Sequence, residues 1–222
     1  MNKFDITKIR EIIKIRNIEI ICLILHGSRT LDIQNQESDL DIVAVTETGQ
    51  YEDIVEIIDG EKYHIIFREK KYLESLSEEF FNIILTRIFD YNSLSGRIMS
   101  GDILWEKKGN EISSIITRNI IELDKSILDK KLHYQMISQL KDATTNSRYI
   151  NLICIQNAVD TLICRFLLKN NIFFLNQKWF PYYVAQYFDK EISKYYYNLR
   201  FSQTPDLREL KQILEWVNNY EI

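Results

Sequence analysis

From residue 25 to residue 45 the chain reads LHGSRTLDIQNQESDLDIVAV, and this stretch restricts the fold more than any other. A near-continuous apolar run over 18–25 reads as a buried strand, and Gly27 breaks it. A second apolar run follows Ser38-Asp39-Leu40-Asp41 and reads as a strand over 40–46. Asp39 and Asp41, two residues apart on a strand, point to the same face. A Gly27-Ser28 turn after a strand offers backbone N–H groups to phosphate oxygens. Together these features describe a site for a divalent metal and a nucleoside triphosphate.

The flanking pattern supplies the rest of an α+β domain. Apolar residues at helical spacing over 3–17 (Phe4, Ile6, Ile9, Ile12, Ile13) predict a helix that Asn17 can end. Strands over 54–58 and 62–68 flank Asp59-Gly60, a strong hairpin signal. A broad apolar face from Leu73 to Ile88 predicts one helix over 70–91, and residues 97–110 predict a short strand and a turn. Beyond residue 110 no further strand is expected. Long helices are predicted over 111–146 and 148–170, with a shorter one over 205–220 whose first turn holds Pro205 and whose cap is Thr204. Residues 173–197 are crowded with aromatics. The expected organisation is an α/β domain at 1–108 and a helical domain at 109–222.

Charge narrows the partners. Residues 1–110 carry 14 Lys and Arg against 20 Asp and Glu, and residues 111–222 carry 14 against 12. Neither half offers the concentrated positive face that a phosphate backbone needs, so nucleic acid is disfavoured. A small molecule, including a cationic one, suits the acidic first half. No apolar run approaches the roughly 18 residues of a membrane span, and the start lacks a secretory core. Cys22, Cys154 and Cys164 sit in apolar runs with the spacing of neither a disulfide framework nor a zinc site, so buried free thiols in a reducing cytoplasm are expected. The sequence leaves the oligomeric state open, a homodimer included.

The order apolar strand, Gly27-Ser28-Arg29, a spacer of about ten residues, then Ser38-Asp39-Leu40-Asp41 in a second strand resembles the motif of the nucleotidyltransferase superfamily related to DNA polymerase β. The motif is close to the form in its minimal and its antibiotic-modifying members, and the chain as a whole resembles the two-domain antibiotic-modifying ones. The resemblance implies a polymerase β-like mixed sheet with flanking helices, followed by an all-helical domain. It implies transfer of NMP from an NTP, with Mg²⁺ in a two-metal site, to a hydroxyl of a small acceptor such as an aminoglycoside- or lincosamide-like compound. On that reading Asp39 and Asp41 hold metal and act in catalysis, while Gly27, Ser28 and Arg29 hold the nucleotide's phosphates. Protein AMPylation and a nucleotide-binding module without turnover are the alternatives.

The departure from the family pattern is on the later strand, where a third carboxylate is usual. The expected position falls at His64, which becomes a substitute metal ligand, a substrate contact or a mark of lost turnover. Mg²⁺ favours oxygen over imidazole. Glu61 lies on the opposite face of that strand by alternation. In the helical half, Gln156, Asn157 and Asp160 make one polar stripe on an otherwise apolar helix. The resemblance makes Asp160 the candidate carboxylate for the acceptor, with an internal ion pair to Arg165 or Lys141 as the bland alternative. Residues 176–181 (NQKWFP) resemble a Lys-Trp segment of some members, where Lys178 reaches a phosphate and Trp179 stacks on a ring. His26 reads as a strand-end residue and His133 as ordinary surface.

Overall fold

The computed structural model describes residues 6–31, 39–87, 91–143 and 147–220. Ser38, and with it Phe4 and Ile88, lies outside the described residues. The chain divides into two compact units, 1–80 with 94–123 and 81–93 with 124–222.

The first unit is built on a five-stranded mixed sheet in the order β3-β4-β2-β1-β5. The strands are β1 Cys22–His26, β2 Leu40–Thr46, β3 Ile54–Ile58, β4 Glu61–Glu69 and β5 Asp102–Glu106. Only β2 and β4 run parallel, and the other neighbours are antiparallel. Helix α1, Ile6–Lys14, lays Ile9, Ile12 and Ile13 onto Leu23, Leu25, Leu40, Ile42, Ala44 and Ile65, which all point to one sheet face. The helix ends where the chain turns through Asn17 at φ 55°, a left-handed conformation that asparagine tolerates. Asp59 (φ 53°) and Gly60 (φ 82°) form the two-residue turn with both central residues left-handed, which matches the twist of the β3–β4 hairpin.

The expected helix over 70–91 is two helices, α2 Lys70–Leu73 and α3 Leu76–Thr86. The break is held by a buried side chain from elsewhere in the unit. Asn119 Nδ2 donates to the Leu73 carbonyl and Asn119 Oδ1 accepts from the Ser77 N–H, each at 2.8 Å. A side-chain amide thus satisfies the backbone groups that the interruption frees. Asn119 sits on α5, Ile112–Glu122, which packs against α2 and against α4, Leu94–Met99. Helix α4 was not anticipated by the sequence reading.

The second unit is helical: α6 Lys125–Asp142, α7 Arg148–Lys169, α8 Phe180–Tyr187, α9 Lys190–Phe201 and α10 Leu207–Asn219. The single helix expected over 111–146 is interrupted at Leu123-Asp124, where the Asp124 carboxylate caps α6 by accepting from the Ile127 N–H. The cap of α10 is Asp206, not Thr204, so Pro205 precedes the helix instead of opening it. Phe166 of α7 meets Phe188 and Trp216 with ring centroids 4.7 and 5.5 Å apart. Helix α7 alone among the described helices has the length and apolar composition of a membrane span, and 61% of its apolar window is buried within the protein. A core helix with its apolar sides covered passes the same test. Cys22 and Cys164 are buried free thiols, and burial pushes Cys22 up to about 12. Cys154 is half-buried.

Candidate nucleotide and metal site

The sheet face opposite α1 carries the chemistry. Strand alternation sends His26 of β1, Asp41 of β2 and His64 of β4 to that face, and the register aligns them. His26 pairs with Asp41, Asp41 with His64, and His64 with the exposed Val55 of β3. One step along, Asp39 stands beside Lys62. Acids spaced i, i+2 at the start of β2 are therefore matched by bases spaced i, i+2 on β4. Lys62 Nζ donates to Asp39 Oδ2 at 2.6 Å, and His64 Nδ1 lies 3.4 Å from Asp41 Oδ1.

Gly27 opens a short 3₁₀ turn, Gly27–Leu31, directly above this pair. Its φ of 81° favours glycine, and a Cβ there would stand 2.5 Å from Asp41 Oδ2. Only a residue without a side chain lets the turn approach that carboxylate. Thr30 Oγ1 tightens the turn by donating to the Gly27 carbonyl at 2.7 Å. Ser28 is half-buried within it, and Arg29 Nη1 reaches Glu61 Oε1 at 3.4 Å.

Burial raises the pKa of Asp41, while the neighbouring His64 and then Arg97 pull it back down and Asp39 adds to the rise. His26 is 1% exposed, and neither ring nitrogen has a hydrogen-bond partner among the described residues. Desolvation, reinforced by Arg97 and His64, drives its pKa down to about 3, so the imidazole is neutral at pH 7. Arg97 comes from α4. That helix closes on β1 because the turn after it contains Gly101, where a Cβ would meet the Leu25 carbonyl at 2.7 Å.

Asp39 and Asp41 provide two hard oxygen donors on one face, and their oxygens already face an ammonium and an imidazole. Among the described residues no group of three or more His, Cys, Asp and Glu side chains is gathered as a metal cage. The donors therefore fit an ion that takes one or two carboxylates and completes its shell with water and phosphate, as Mg²⁺ does. They do not make a closed protein cage.

The residues singled out in the helical half belong to the second unit. Asp160 is 3% exposed and accepts from Arg200 Nε at 3.0 Å, and Gln156, one turn earlier, donates to the Arg200 carbonyl at 2.9 Å. Gln156 and Asp160 of the polar stripe thus brace α7 to α9. The ion-pair partner is neither Arg165 nor Lys141. Arg165 is held bidentately by Asp129 at 2.8 and 3.1 Å. Burial lifts Asp160 to about 6 against the pull of Arg200. Lys178 is exposed, its ammonium 4.7 Å from the ring centroid of its neighbour Trp179. His133, expected as plain surface, is half-buried with Nδ1 3.3 Å from Arg165 Nη1.

Lys62 and Arg97 were not among the expected site residues, and His26 was expected only as a strand-end residue. For Lys62 the signal was present. It sits two residues before His64, with the same alternation that pairs Asp39 and Asp41. For Arg97 no signal was available, because α4 itself was not foreseen.

No family model matches the chain, and no curated protein matches it. Among solved structures it is similar to the crystal structure of a nucleotidyltransferase-like protein from Exiguobacterium sibiricum, with 12% identity and a TM-score of 0.46, over 94% of this chain and 71% of that one.

Proposed function

We propose that the protein is a Mg²⁺-dependent nucleotidyltransferase that moves NMP from an NTP to a hydroxyl of a small acceptor. The observation that carries this reading is the approach of Gly27 to Asp41, with Asp39 on the same sheet face. A phosphate-binding turn and two metal-binding carboxylates are thereby brought to one point. In the reaction the acceptor oxygen bonds to the α-phosphorus and the bond to the bridging oxygen of pyrophosphate breaks. The hydroxyl proton must leave as this happens. Bound Mg²⁺ supplies charge neutralisation on the phosphates.

Gly27 and Ser28 present N–H groups and a hydroxyl to the β- and γ-phosphates, with Arg29 at the edge of the turn. Asp39 and Asp41 hold the metal. His64 stands where the family resemblance expects a third carboxylate. With Nδ1 turned to Asp41, its Nε2 is the nitrogen left for the acceptor's proton. Val55 extends this row as an exposed apolar flank against which an acceptor can rest. In the second unit, Lys178 with Trp179 is a pair suited to a phosphate and a ring. Asp160, the carboxylate that the resemblance assigns to the acceptor, is tied to Arg200 within this unit.

A second reading, a nucleotide-binding module without turnover, is favoured by the nitrogen at position 64. Titration calorimetry with ATP and GTP in the presence of Mg²⁺ tests the shared part of both. Binding of one nucleotide that depends on Mg²⁺ and is lost in the Asp39→Ala, Asp41→Ala double variant is expected. Absence of metal-dependent binding overturns the proposal. Pyrophosphate release with an aminoglycoside or lincosamide acceptor then separates transfer from binding alone.

A further inference from the structure

Lys62 is the one cation hydrogen-bonded to a candidate metal carboxylate among the described residues, and nothing in the reaction above uses it. Its ammonium is 2.6 Å from Asp39 Oδ2, where a divalent ion would bind. The pair is not locked in the interior. The Lys62 side chain is 46% exposed, and its four-carbon stem can carry the charge elsewhere. Two further cations, Arg29 and Arg97, border the same face of the unit. On the same face, in register with Asp41, the imidazole of His26 is buried with neither nitrogen hydrogen-bonded among the described residues.

We propose that Lys62 is a resident counter-ion that is exchanged for a divalent cation when nucleotide arrives. In the empty site it neutralises Asp39 and disfavours a free metal ion by occupying the same oxygen and by like-charge repulsion. When the metal enters with an NTP, the ammonium leaves Asp39 and pairs with the polyphosphate. The site then takes up metal as a metal–nucleotide complex in preference to the free ion. This inference rests on the nucleotide-site reading above, and it concerns binding only, with no covalent step.

The test is Mn²⁺ binding to the full chain, read by electron paramagnetic resonance of the free ion, with and without α,β-methylene ATP. Lys62→Met is expected to bind free Mn²⁺ roughly tenfold or more tightly than the wild type, a change on the scale of altered metal surroundings. Lys62→Arg keeps the cation and is expected to keep the wild-type affinity. Adding Asp39→Asn to Lys62→Met is expected to abolish the gain. In the presence of Mg²⁺, Lys62→Met is also expected to weaken binding of the analogue.

Unchanged Mn²⁺ affinity in a folded Lys62→Met protein overturns the counter-ion role. If the wild type still binds the Mg²⁺–analogue complex, the nucleotide site then stands without it. Gain of Mn²⁺ with no binding of nucleotide triphosphates overturns the nucleotide reading and the handover to phosphate, and leaves the counter-ion role standing. Should Lys62→Met fail to fold, Lys62→Gln carries the same comparison.

Discussion

His64 Nδ1 stands 3.4 Å from Asp41 Oδ1 on neighbouring parallel strands, in direct register. A carboxylate that faces one ring nitrogen orients the other outward, which is the arrangement a proton acceptor needs. His64→Ala is expected to lower the rate of nucleotidyl transfer by about a hundredfold, within the range of general-base effects, and to leave NTP affinity within about twofold. Single-turnover pyrophosphate release beside calorimetric binding separates the two. Equal loss of both would assign His64 to nucleotide binding instead.

Gly27 has no room for a side chain while its turn stays on Asp41. Gly27→Ala forces a Cβ to within 2.5 Å of Asp41 Oδ2 at a φ of 81°. The expected cost is about 1 kcal/mol or more of stability. Mg²⁺-dependent nucleotide binding is expected to disappear, because the turn must move off Asp41. Urea denaturation and calorimetry measure the two effects. Retained binding would show that the turn is not the phosphate cradle.

Burial of His26 has a pH signature. Its pKa is held at about 3 against an ordinary 6.5, so the unfolded chain takes up a proton that the folded one refuses. Stability from this group is complete above pH 6.5 and is lost as pH falls towards 3. The full span amounts to about 5 kcal/mol at 1.4 kcal/mol per pH unit. Urea unfolding of wild type and His26→Leu across pH 4 to 7 is expected to show the wild type losing stability faster as acid is added. Parallel curves would contradict a neutral buried imidazole.

Asp160 and Arg200 behave in the opposite direction. The carboxyl is raised to about 6 from 3.8, so ionising it in the folded state weakens the fold as pH rises between those values. Removing the guanidinium by Arg200→Met leaves a buried charge with no counter-ion and is expected to cost about 3 kcal/mol at pH 8. At pH 5 the cost is smaller, because Asp160 can hold a proton. Thermal unfolding at the two pH values checks this. A cost independent of pH would mean that Arg200 acts through packing alone.

Much of the sheet was legible in the sequence because its signals are local. The apolar run into β2, the alternation on β4 and the Asp59-Gly60 turn each depend on a few neighbouring residues. The interruption between α2 and α3 was not legible, since it is stabilised by Asn119, more than forty residues away. The acids at 39 and 41 could be read as a same-face pair. The family resemblance set His64 beside them, whereas the pairing of Lys62 with Asp39 went unread although its alternation with His64 was in the sequence. The role of Asp160 turned on Arg200, which is far from it along the chain and invisible to helical periodicity.

The Asp59-Gly60 turn has an electrical consequence far from its own backbone. By setting where β4 begins, it decides which alternate residues of that strand look across at Asp39 and Asp41. As built, they are Lys62 and His64, so each acid faces a nitrogen base. One residue more or fewer in that turn, carried through to the β2–β4 register, would bring Glu61 and Tyr63 to the same face. Position 61 would then supply a third carboxylate, and the site would become strongly acidic. The sign of the site's charge is thus encoded in a two-residue loop that never touches it.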